Sequence, residues 1–255
     1  MPRVRRINDP GVIQHVMNRA NRRVSMFLQP TDYEGFLVLL VEAGRRFGVS
    51  LLAFCLMPNH WHLVVMTRDR GAVSAYMRWL TGTHVKRYHR AHGLEGTGHL
   101  YQGRFTSVVV QSDVHLSIVL RYVEANPLRA GLVARAEDWP WSSLGVATAV
   151  RERLLSDGPV ARPADWVRWV NQPEADLDRL RQSIARGRPF GSPEWAATTA
   201  EAHGLGFTLR SPGRQKKVSS RSPTGRRVAA VPMSPAQLEL SARTGSAPVP
   251  QRPGV

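Results

Sequence analysis

Residues 58–65 carry Pro58, Asn59, His60, Trp61, His62, Leu63, Val64 and Val65. Two histidines two apart on a strand share a face, with Cα atoms about 6.5–7 Å apart. Their imidazoles can converge on one cation, while Trp61 points the other way, toward a core. Divalent cations that activate phosphodiesters take few protein ligands and keep positions open for substrate oxygens. His60 and His62 with one further ligand would suit such an ion. The same short pattern also suits two polar residues on the solvent face of a half-buried strand.

A second cluster runs from Leu120 to Val133. Tyr122 falls near the end of an expected helix, and Asn126 is four residues on, at helical spacing. Pro127 disturbs the geometry at Asn126. A tyrosine hydroxyl can attack phosphorus and conserve the bond as a covalent phosphotyrosine. A cation on the scissile phosphate would stabilise the developing charge, and the Asn126 amide oxygen could be its third ligand. Taken alone, Tyr122 equally suits a core position, and Asn126 a cap for the next helix.

Two further segments are polar and cationic. In Gly98 to Phe105, Arg104 could hold a phosphate, Tyr101 could stack on a base, and Gln102 lies between them. In His15 to Arg23, Asn18, Arg19, Arg22 and Arg23 stand at the end of the first strand, where they could contact DNA. Ordinary solvated loops fit both segments as well.

The elements that must position these residues follow from periodicity. Val12 to Asn18 suits a strand, and Tyr33 to Phe47 a helix that Gly48 ends. Val49 to Leu56 and His60 to Thr67 form a hairpin around Met57, Pro58 and Asn59. Gly71 to about His92 is helical, Gly93 to Gly98 a glycine-rich loop, and Arg104 to Gln111 a strand. Ser112 and Asp113 cap a helix that runs to about Ala125. That order predicts an α+β fold: a ferredoxin-like βαββαβ sandwich with an appended helix carrying the tyrosine. Residues 12–144 make the expected catalytic domain, after a basic arm at 1–11. Residues 145–217 read as a mostly helical and basic extension, with helices over Ala164 to Val170 and Asp176 to Ala185. Residues 218–255 read as a disordered tail.

Composition narrows the partners. The 255 residues hold 35 Lys plus Arg against 19 Asp plus Glu, a net charge of +16. Such a balance marks a polyanion partner, most often nucleic acid. Only Lys86, Lys216 and Lys217 are lysines, so part of the arginine excess can reflect base composition of the genome. The single Cys55 excludes an intrachain disulfide and a cysteine-rich zinc site. No apolar run follows the basic start, and none is long enough to span a bilayer. The expected location is the cytoplasm, at the nucleoid.

Together these blocks resemble the HUH transposases with a single catalytic tyrosine, especially the branch associated with repetitive extragenic palindromes (REP). The resemblance covers roughly residues 12–144. It rests on the His15 to Arg19 segment with Asn21, Arg22 and Arg23, on Met57 to His62, on Tyr101 to Phe105, and on Tyr122 with Asn126, Pro127 and Arg129 to Val133. Trp139 to Ser143 resembles the segment that closes the family domain. One departure is Ala20, where family members often carry glycine.

The resemblance implies Mg²⁺ or Mn²⁺ on His60 and His62, with Asn126 as third ligand. It implies attack by Tyr122 on a single-stranded DNA phosphate, leaving a 5′-phosphotyrosine and a free 3′-OH. Its implied substrates are hairpin-forming palindromes, contacted by Asn18, Arg19, Arg22, Arg23, Tyr101, Gln102, Arg104 and Arg129. The working unit would be a monomer or a homodimer, without a membrane partner. In insertion-sequence relatives the tyrosine helix can serve the partner's site. Two other readings stay open: a non-catalytic regulator that binds palindromic DNA, and a hydrolase without a covalent step.

Overall fold

The computed structural model describes residues 7, 9–173 and 176–210. Most of the basic arm at 1–11, most of the basic run from Arg210 to Lys217, and the tail at 218–255 lie outside the described residues.

Four strands form one antiparallel sheet: β1 (Ile13–Arg19), β2 (Val49–Met57), β3 (His60–Thr67) and β4 (Thr106–Val110). Their order is β2-β3-β1-β4. The helix α1 (Pro30–Phe47) connects β1 to β2, and α2 (Ala72–His92) connects β3 to β4. This is the ferredoxin-like order expected from the sequence. Pro30 opens α1 where its missing N–H costs nothing. The Asp32 carboxylate accepts from the Leu28 and Gln29 amides ahead of it. Gly48, at φ 61°, then turns the chain into β2.

Alternation along the strands divides the core in two. Val16, Phe54, Leu56, Trp61, Leu63 and Val65 face α1 and α2 in an aromatic-rich layer. Ile13, Ala53, Cys55, Met57, Val64 and Val108 face the opposite side. That side is covered by α3 (Val114–Glu124), capped by the Asp113 carboxylate on the His115 amide. Helix α3 carries Tyr122, so the appended helix lies across the sheet from α1 and α2.

The expected strand over Arg104 to Gln111 is shorter, because β4 starts at Thr106. The chain ahead of it pairs elsewhere: Tyr101 bridges Ala20, and the Gln102 amide donates to the Arg19 carbonyl. Beyond α3 come α4 (Asn126–Arg129), α5 (Thr148–Leu154), α6 (Trp166–Val170), α7 (Leu177–Arg186) and α8 (Pro193–Ala202). Helices α5 and α8 fall in the stretch expected to be helical, beside the two helices whose bounds are expected over Ala164 to Val170 and Asp176 to Ala185.

The extension is built into the same core. Trp166, Val170, Leu180 and Phe190 pack in the layer under α3. The backbone after α4 also covers both sheet edges. Trp141, Ser143 and Ser156 exchange backbone hydrogen bonds with β2, and Phe190 with Val109 and Gln111 beside β4. Covered edges remove a template for unwanted strand pairing. The buried Glu124 carboxylate fastens this layer by accepting from Ser143 Oγ (2.7 Å), Arg162 Nη2 (3.1 Å) and Trp166 Nε1 (2.6 Å). No described helix is long and apolar enough to cross a membrane.

Candidate active site

The register of β1 against β3 sets Met17 opposite His62 and Arg19 opposite His60. Opposed residues share a face, so these side chains lie on the α3 side of the sheet. Trp61, of opposite parity, is fully buried on the other side. His60 and His62 meet nearly at right angles, with ring centroids 5.0 Å apart. Tyr122 closes on them from α3: its ring lies 5.8 Å from that of His62, edge to face. One chain therefore supplies both the histidines and the tyrosine.

Each histidine has its Nδ1 engaged. His60 Nδ1 donates to Asn59 Oδ1 at 2.7 Å, and His62 Nδ1 lies 2.9 Å from His15 Nε2. In both rings Nε2 is the nitrogen left for the site. Burial, helped by the Arg19 charge, lowers the His60 pKa to about 4. Burial also pulls His62 well below its ordinary value, with His15, His60, Arg129 and Arg19 adding to the effect. Both rings are neutral near pH 7, the form that can offer a lone pair to a cation. This donor set fits a divalent ion with few protein ligands. Among the described residues no group of three or more His, Cys, Asp and Glu side chains could hold a metal. A third ligand must then be of another type, and an amide oxygen qualifies.

Asn126 stands one turn past Tyr122, at the start of α4. Its Nδ2 donates to the Tyr122 and Val123 carbonyls at 3.0 and 3.3 Å. That orientation makes Oδ1 its acceptor end. Arg129 reaches back over the same turn. Its guanidinium carbon lies 4.3 Å from the Tyr122 ring centre, and Nη2 donates to the Tyr122 carbonyl at 2.6 Å. Arg129, expected on DNA, thus braces the tyrosine. Arg19 stands beside His60, its Nε buried and without a hydrogen-bond partner.

Two expected DNA contacts need correction. Tyr101 is buried, not available for stacking on a base. Its hydroxyl accepts from Trp61 Nε1 at 3.1 Å and meets His84 Nδ1 at 2.6 Å. Pairing of residues 100–102 with 19–21 draws that ring under the sheet. Asn18 is also buried: Nδ2 donates to the Gly103 carbonyl and Oδ1 accepts from the Arg19 amide. It shapes the loop instead of facing solvent. Gln102 and Arg104 are exposed, as are Arg22 and Arg23, which hold positive φ of 54° and 60°. Gln102, Arg104 and Arg19 line a cleft of about 250 Å³ with Met17, Gly103 and Thr106. It shares Met17, Arg104 and Thr106 with a cleft of about 560 Å³ that reaches Arg186 on α7. A cavity of about 690 Å³, mostly apolar, lies between α1 and α5, where none of the candidate site residues reaches.

His15 was not among the residues singled out for chemistry. Strand alternation puts it on the site face with Met17 and Arg19, and it opens the first segment of the family resemblance.

The ferredoxin-like sheet thus gathers paired histidines and a tyrosine on an appended helix in one place. Residues 10–126 match the family described as IS200-like transposases. A Haemophilus influenzae protein described as a REP-associated tyrosine transposase is 25% identical over 122 residues, 44% of this chain and 69% of that protein. On these two matches residues 10–126 of the chain are similar to the IS200-like transposases. A solved REP-associated tyrosine transposase bound to a REP hairpin aligns with 63% of this chain and 94% of its own, at 22% identity and a TM-score of 0.47. A Deinococcus radiodurans structure described as a transposase aligns with 49% of this chain and 96% of its own, at 19% identity and a TM-score of 0.36.

Proposed function

We propose that this protein is a transposase that cleaves and rejoins hairpin-forming single-stranded DNA through Tyr122. His60, His62 and the Asn126 amide oxygen would hold Mg²⁺ or Mn²⁺. When bound, such an ion polarises the scissile phosphate. Tyr122 Oη attacks phosphorus; the new O–P bond forms as the P–O3′ bond breaks. The phenol proton passes to solvent, and the departing 3′ oxygen takes up a proton as a free 3′-OH. The 5′ end stays on the protein as a phosphotyrosine, and attack by a 3′-OH on that ester reverses the step onto another DNA end. Arg129 orients the tyrosine, and the unpartnered Arg19 Nε suits a phosphate oxygen.

The observation that carries this reading is the approach of Tyr122 to His62 within one chain. The exposed Arg104 and Gln102, in the cleft that Arg19 also lines, suit the strand flanking the hairpin. The substrate class follows the relative named for its association with REP elements.

The test is incubation with hairpin-bearing single-stranded DNA and Mn²⁺, followed by a denaturing gel. A protein–DNA adduct is expected, absent from Tyr122→Phe and from samples with chelator. Cleavage that persists in Tyr122→Phe would assign the reaction to water. Salt-sensitive binding without cleavage on several hairpins would favour a regulator of palindromic DNA.

A further inference from the structure

Beneath the candidate cation site two imidazoles meet edge to edge. His15, on β1, is 1% exposed and lies nearly coplanar with His62, with centroids 5.1 Å apart and planes 10° apart. His15 Nε2 and His62 Nδ1 are 2.9 Å apart, so one proton lies between them. A neutral histidine that offers Nε2 to a cation carries its own proton on Nδ1. His15 Nε2 is then the acceptor that holds it there. The other His15 nitrogen, Nδ1, is buried without a hydrogen-bond partner. An unpaired buried nitrogen costs stability. Val64 on β3 and Val108 on β4 flank His15 in the sheet, and an aromatic hydrocarbon ring would suit that setting without the cost. The imidazole is therefore not explained by packing. Its ring also lies 5.9 Å from that of Tyr122, edge to face.

We infer that His15 is a positioning residue that orients the His62 ring and keeps the His62 Nε2 lone pair directed at the cation. The inference rests on the proposed role of His60 and His62 as ligands. Hydrogen bonds of this kind to a ligating histidine tune metal affinity by about 10–100-fold.

The full chain, with His15→Phe, His15→Gln and His62→Ala variants, would be titrated with Mn²⁺ and followed by the free-ion EPR signal. Thermal melting without metal would be measured in parallel. His15→Phe is expected to melt no lower than the parent yet to bind Mn²⁺ about 10–100-fold more weakly. His15→Gln, whose side-chain oxygen reaches the position of Nε2, should return affinity to within about threefold. Parental affinity in His15→Phe would overturn the inference. So would equal losses in the Phe and Gln variants, or a His15→Phe chain that melts early or fails to fold. A parent that binds no better than His62→Ala would remove the cation reading itself, and this inference with it.

Discussion

On the face covered by α1 and α2, His84 Nδ1 meets the Tyr101 hydroxyl at 2.6 Å. On the face covered by α3, His62 meets Tyr122 ring to edge at 5.8 Å. The same two residue types occur in each pair, and all four side chains are buried. The difference is in what surrounds them. Phe27 stacks on His84, Phe36 packs against its edge, and Trp61 donates to Tyr101, which closes that network on itself. Around His62 stand a second histidine, His60, and two arginines, Arg19 and Arg129. One histidine–tyrosine pair is enclosed by apolar rings, and the other, on which the proposed chemistry rests, is faced by cationic side chains and unfilled donors. One strand serves both: Trp61 and His62 are neighbours that enter opposite layers.

The sharpest break of this comparison is to remove one hydroxyl from each face. Tyr122→Phe should lower adduct formation by about a thousandfold or more, with little change in melting temperature. Tyr101→Phe should retain the adduct and instead destabilise the fold by about 1–3 kcal/mol, since Trp61 Nε1 and His84 Nδ1 lose their partner. Chemical denaturation beside a gel assay separates the two. Loss of adduct in a folded Tyr101→Phe chain would erase the distinction between the faces.

Glu124 tests how the α3 face is held. Glu124→Ala strands Arg162, Trp166 and Ser143 in a buried setting, and about 3–5 kcal/mol of stability should disappear in a urea titration. A loss below about 1 kcal/mol would mean the extension is not fastened there.

The pH dependence sharpens the other face. Burial lowers the His84 pKa from 6.5 to about 3. Its neutral form is favoured in the folded state, so its contribution is full above about pH 6.5 and is lost as pH falls toward 3. His84→Asn keeps an acceptor for the Tyr101 hydroxyl without a titrating ring. It should flatten part of the fall in melting temperature between pH 6.5 and 4. An unchanged slope would assign the acid sensitivity elsewhere.

The smallest effect is expected at the exposed Arg104. Arg104→Ala should weaken hairpin binding severalfold and reduce the salt slope by about one. The adduct at saturating DNA should be unaffected.

Much of this was readable in the chain. The succession of strands and helices along the chain, the shared face of His60 and His62, and the opposite direction of Trp61 follow from periods of 2 and 3.6. So does the place of Tyr122 near the end of a helix capped by Asp113. The misread residues share a cause. Tyr101 and Asn18 look like polar loop residues, and their burial depends on residues 98–104 folding along the end of β1. The Glu124 network joins residues 124, 143, 162 and 166, whose meeting no local pattern announces. His15 acquires a role only through its alignment beside His62.

What the sequence determined by itself is local: which residues can form each element, which face each side chain takes, and which functional groups are present. Backbone sterics and hydrophobic alternation decide these within a few residues. Tertiary structure alone decided which groups meet. The β1–β3 register, the crossing of α3 over the sheet and the covering of both edges by the chain after α4 are long-range choices. They depend on packing between segments far apart in the chain, and that packing sets the burial, the hydrogen-bond partners and the neutral state of the site histidines.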